Sequence, residues 1–172
     1  GRRYLDTRFT PETLRRLMSP GGPGGPNFLH IATHFRPGNR DESVLLFGDG
    51  NKLSTSQIFN PSPRLGQYDL IALSACDSGT TVAEMESLGA AFRASGAKAV
   101  LATLWSVRDV GAAPLMIEFY RQRGEQRLMS KAEALREAQL AMLRGHLKSQ
   151  DGKSDFRHPH FWASYVLMGN WL

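Results

Sequence analysis

The run YDLIALSA, residues 68–75, constrains the fold more than any other part of this 172-residue chain. From Leu70 to Leu73 it contains no polar residue. A strand with one wet face alternates apolar and polar side chains. A continuous apolar run needs cover on both faces, as in a parallel sheet between helices. FLHIATH (28–34) is a short apolar strand candidate, and AKAVLATLW (97–105) reads as a further buried strand. FWASYVLMGNWL (161–172) supplies a further strand candidate near the end.

Helical signals lie between and beside these runs. TPETLRRLM (10–18) opens with Thr10 as N-cap and Pro11 at the first helical position. VAEMESLGAAFRASG (82–96) reads as a helix stopped by Gly96. DVGAAPLMIEFYRQRG (109–124) reads as a helix with Pro114 near its start. SKAEALREAQLAMLRG (130–145) is the clearest helix. Ser130 and Glu133 form a capping box, and Ala132, Leu135, Ala138 and Met142 recur on one side before Gly145. This alternation predicts an α/β fold in three layers, a central and mostly parallel sheet with helices on both faces.

Three stretches stand apart. SPGGPGGPN (19–27) is a connector, because neither helix nor strand accommodates so much Gly and Pro. SVLLFGDGNKLS (43–54) reads as a hairpin turning at Asp49-Gly50 and leading into a short helix capped by Ser54 and Gln57. FRPGN, after His34, reads as a turn.

The length suits one domain over residues 1–172, and the abrupt start suggests a piece of a longer protein. Hydrophobic residues make up 41% and charged residues 22%, so a packed core is feasible. No stretch approaches the roughly 18 apolar residues of a membrane span, and GRRYLDTRFT lacks the apolar segment of a signal peptide. A single cysteine makes no internal disulfide. A cytoplasmic setting is therefore expected. The net charge of +5 attracts polyanions in principle, but the basic residues are scattered along helices among Glu, so direct nucleic-acid binding is not expected. His158 and His160 lack ligand-spaced partners, and no phosphate-binding glycine motif occurs, so neither a metal nor another cofactor is expected.

In an open parallel sheet, function gathers at the carboxyl ends of the strands. FLHIATH carries His30 and His34, four residues apart and so on the same face of a strand. Depth separates them, since four residues of strand span about 13 Å. His34, at the strand end, is the candidate for chemistry. His30 reads as a hydrogen-bonded core residue. YDLIALSA ends at Cys76, the only cysteine. If the two strands are neighbours, a thiol and an imidazole share one edge, which is the minimal apparatus of a cysteine nucleophile. The small residues after Cys76 suit a turn whose N–H groups could face a developing oxyanion. The competing reading is an inert buried thiol. Trp105 has two readings, pocket wall or core. Asp109 either binds a basic substrate side chain or caps the following helix, and Asp77 is ambiguous in the same way.

FLHIATHF, LLFGDGNKLS, LIALSACDSG, LGAAFRASGAKAVLATLWSVRD, KAEALREAQLAML and HPHFWASYVLMGN occur in this order over nearly the whole chain. Together they resemble the CHAT domain, a largely bacterial relative of caspases and separases. The resemblance implies a caspase-like fold and a cysteine endopeptidase in which His34 and Cys76 form the dyad. It implies an oxyanion hole using the backbone N–H groups of Cys76 and Phe35, although Phe35 stands where relatives often have glycine. It implies a specificity pocket near Ser74 and Asp109, whose acidic wall would favour Arg or Lys. It further implies an N-terminal strand ahead of residue 1 and a regulatory helical-repeat region or partner chain. The rival expectation is a catalytically silent caspase-fold module that binds other proteins.

Overall fold

A computed structural model describes residues 2–19, 28–37, 43–75, 82–105, 107, 109–125, 129–149 and 155–172. The Gly/Pro connector, Cys76 and Asp77 lie outside the described residues. Strands β1 (Phe28–Thr33), β5 (Leu70–Ala75), β6 (Ala99–Thr103) and β7 (Tyr165–Gly169) form one sheet in the order β1-β5-β6-β7. β1 and β5 run parallel, with Phe28 opposite Leu70 and Thr33 opposite Ala75. β5 and β6 are also parallel, and β7 is antiparallel to β6. The expected mostly parallel sheet is therefore present.

Helices cover both faces. On one, Leu29, Ile31, Ile71, Leu73, Val100 and Ala102 meet Leu14 and Met18 of α1 (Pro11–Met18), Ile58 of α2 (Thr55–Phe59), and Leu88 and Phe92 of α3 (Val82–Ala94). On the other, Leu70, Ala72, Ala99 and Leu101 meet α4 (Asp109–Glu125) through Leu115, Met116 and Phe119. There they also meet α5 (Lys131–Leu143) through Ala134, Leu135, Ala138 and Met142. Successive residues of β5 thus enter opposite cores, which is why its apolar run is continuous. The arrangement is a three-layer α/β/α fold of caspase-like type.

Local chemistry sets the helix ends. The Thr13 N–H donates to Thr10 Oγ1 at 3.1 Å. Both capping boxes form, Ser54 with Gln57 and Ser130 with Glu133. Pro114 lies within α4, close enough to its start that most of the helical hydrogen bonds continue beyond it. Far from the carboxyl edge, Lys131 is buried and its ammonium donates to Asp69 Oδ2 at 3.1 Å and to the Leu172 carbonyl. Arg123 stands 3.8 Å from the same carboxylate, so the ends of α4 and α5 are tied to the base of β5.

Two expectations are corrected. Phe35–Pro37, read as a turn, is a strand, β2. It pairs with β3 (Ser43–Leu46), which pairs with β4 (Lys52–Ser54), giving a small antiparallel sheet. β2 is an edge strand, where proline's missing N–H removes no ladder bond that the partner needs. The last strand is confined to Tyr165–Gly169. Pro159–Phe161 form a 3₁₀ turn, with the His160 N–H donating to the His158 ring at 3.2 Å. The hairpin turns with Gly50 at φ +85°, a conformation that suits glycine. Gly48 packs so closely under the N-terminal segment that a Cβ there would lie 1.8 Å from the Asp6 carbonyl oxygen. Among the described residues, no helix is long and apolar enough to cross a membrane.

Candidate active site

A cavity of about 280 Å³ opens at the carboxyl end of β1 and β5. His30, Ala32, Thr33 and His34 line it from the β1 side, and Ser74 from β5. Val107, Asp109, Ala112, Ala113 and Met116 close it from the start of α4, and Tyr165 from β7. Its position follows from side-chain size. On the face turned to α4, β1 presents Phe28, then His30, then Ala32, and β5 presents Leu70, then Ala72, then Ser74. Near the strand ends the side chains on this face are small (Ala32, Ala72, Ser74), so α4 does not fill the space above them.

His34 directly follows β1 and its side chain is exposed on the cavity. The small sheet holds the chain on either side of it. The Leu46 N–H donates to the His34 carbonyl at 3.0 Å. The Thr33 hydroxyl donates to the Leu46 carbonyl at 2.7 Å. Phe35, next in sequence, buries its ring in the first core and stands opposite Leu45 in β2–β3 pairing. β2, missed from the sequence, is therefore part of what positions His34.

His30 also lines the cavity rather than sitting in closed core. Its Nε2 is 2.9 Å from Ser74 Oγ, so the expected hydrogen bond exists, but at the floor of an open site. The ring lies 5.7 Å from that of Tyr120 on α4. The His30 side chain is exposed on the cavity. The protein packed around it disfavours imidazolium and holds its pKa below the ordinary 6.5. Burial likewise raises the Tyr120 phenol, whose hydroxyl has no hydrogen-bond partner among the described residues. The sequence carried the signal for His30 in its four-residue spacing from His34 and in the falling side-chain size. Depth along the strand alone gave the wrong weight.

Ser74 and Asp109 meet His34 at one cavity. Asp109 is the first residue of α4, exposed, and the only carboxylate among the described lining residues. Trp105 is elsewhere. It is half-buried at the edge of the second core, its indole N–H donating to the His160 carbonyl at 3.0 Å. Ala75 ends β5 opposite Thr33, so Cys76 is the residue next after the register partner of the residue before His34.

The three-layer α/β/α fold with its mostly parallel sheet is of caspase-like class. The chain belongs to the CHAT domain family, whose model matches residues 2–170. That membership places it among families related to caspase-like peptidases. No curated protein sequence matches it.

Proposed function

We propose that this chain is a cysteine endopeptidase using a Cys76–His34 dyad. The observation that carries the reading is His34 standing on an open cavity at the end of β1, beside the strand that leads into Cys76. In this mechanism the His34 imidazole takes the Cys76 thiol proton and the thiolate attacks the scissile carbonyl. The N–H groups of Cys76 and Phe35 stabilise the oxyanion. His34 then protonates the leaving amine, and water hydrolyses the thioester with His34 again as base. These steps draw on the chain's own groups alone.

The substrate is a protein or peptide. Ser74 and Asp109 bind its side chain at the cleavage site, and Asp77, next after Cys76 in sequence, contributes to holding the substrate. The Asp109 carboxylate favours Lys or Arg there. The activity is regulated, through a helical-repeat region or a partner chain, in a cytoplasmic setting.

An electrophilic thiol reagent tests the dyad. The expected result is rapid labelling of Cys76, absent in Cys76→Ala and slowed at least about tenfold in His34→Ala, since the thiolate is the reacting form. Labelling of the wild-type protein no faster than that of free cysteine would refute the dyad and leave a caspase-fold binding module.

A further inference from the structure

We propose that His30, braced by Ser74, is the specificity-determining floor of the cavity. The pair accepts a hydrogen bond from the N–H tip of a long basic substrate side chain whose charge Asp109 balances. This rests on the peptidase reading above and deepens it.

Three observations carry the assignment. The first is placement. Ser74 lies near the carboxyl end of β5, two residues before Cys76 in sequence, where an extended Lys or Arg running down the sheet from the strand end would reach it. His30 is deeper still, since its register partner is Ala72. The second is the walls. Val107, Ala112 and Met116 present apolar surface to the methylene stem of such a side chain. The third is sign. Among the described lining residues Asp109 is acidic and none is Lys or Arg, so the cavity suits a cation and not an anion.

The chemistry of the floor follows from the 2.9 Å contact. When Ser74 donates to Nε2, the ring carries its proton on Nδ1, and the serine oxygen keeps lone pairs for a substrate donor. A protonated ring reverses this. It donates to Ser74, occupies a lone pair and adds a positive charge beside the substrate cation. The groups facing His30 are Ser74 from β5 and Tyr120 from α4. Around the same cavity stand Asp109 from α4, His34 beyond β1 and Tyr165 from β7. Burial keeps the ring neutral below the usual imidazole range, so basic-side-chain recognition persists at neutral pH and fails in acid.

The test uses peptides identical except for arginine or norleucine before the cleaved bond. Wild-type protein is expected to favour arginine in kcat/KM. In His30→Phe the ratio should fall about tenfold, the loss of a charge-assisted hydrogen bond. If that variant does not fold, His30→Gln keeps an acceptor but does not titrate. It should retain the preference and lose the extra decline of the arginine peptide in acid. An unchanged ratio in His30→Phe, or an unchanged acid profile in His30→Gln, overturns the proposal. If the wild-type protein cleaves neither peptide, calorimetry on Cys76→Ala separates the two readings. Tighter binding of the arginine peptide there sustains the floor while the peptidase reading fails, and equal affinities overturn the floor.

Discussion

The two faces of the central sheet are built from alternate residues of the same strands, and the cavity lined by His30, His34 and Ser74 opens on the face toward α4. On the face toward α1 and α3, β1 and β5 present Ile31 and Leu73, both buried, at the positions before their last residues. On the face toward α4 and α5, the residues nearest the carboxyl edge are the small Ala32, Ala72 and Ser74. One face is solid and carries stability. The other gives up packing at its edge and exposes polar groups there. In this protein the cavity is lined by small side chains on a regular scaffold. The small sheet then secures His34 at the rim.

The contrast is sharpest between neighbours. Leu73→Ala should cost about 2–5 kcal/mol in urea unfolding, because it opens a void in the solid core. Ser74→Ala, one residue away on the other face, should cost no more than about 1 kcal/mol, since its partner His30 can turn to cavity water. Equal costs would remove the distinction between the faces. A complementary change fills the edge. Ala32→Leu should leave stability within about 1 kcal/mol while reducing peptide cleavage about 100-fold, as expected when a formed pocket is blocked. Retained cleavage would place the substrate elsewhere.

The second face compensates for its open edge with polar ties at its base. Lys131→Met keeps the stem of the buried lysine and removes its charge, leaving Asp69 with Arg123 at 3.8 Å. A loss of about 1–3 kcal/mol in thermal or urea unfolding is expected, because one partner of a buried pair is removed while the other stays partly compensated. No loss would show the tie to be incidental. The smallest effect is that of pH. The folded-state pKa of His30 lies below its unfolded value of 6.5. As pH falls from 6.5, the unfolded chain therefore binds the proton first, and stability declines until the folded pKa is passed. Urea midpoints measured across this range should show the decline in the wild type and less of it in His30→Gln. An identical decline in both would assign it to other groups.

Much of this was legible from residues alone. The apolar runs of β1, β5 and β6, the capping boxes at Ser54 and Ser130, and the shared face of His30 and His34 are local properties of spacing, and the folded chain has them. β2 was not legible. Phe35-Arg36-Pro37 reads as a turn until β3 lies beside it, and its burial depends on a core assembled from residues far away in sequence. The antiparallel direction of β7 was equally hidden, because a strand's side-chain pattern does not reveal which way its neighbour runs. Trp105 had two readings in sequence, and the His160 carbonyl that holds its indole comes from 55 residues further on.

The sequence by itself determined the class of fold, because strand burial and helix capping are written in local periodicity. Only the tertiary structure decided which histidines and carboxylate share a cavity. That depends on whether α4 can fill the space over Ala32 and Ser74, and a helix of fixed diameter over such small side chains does not.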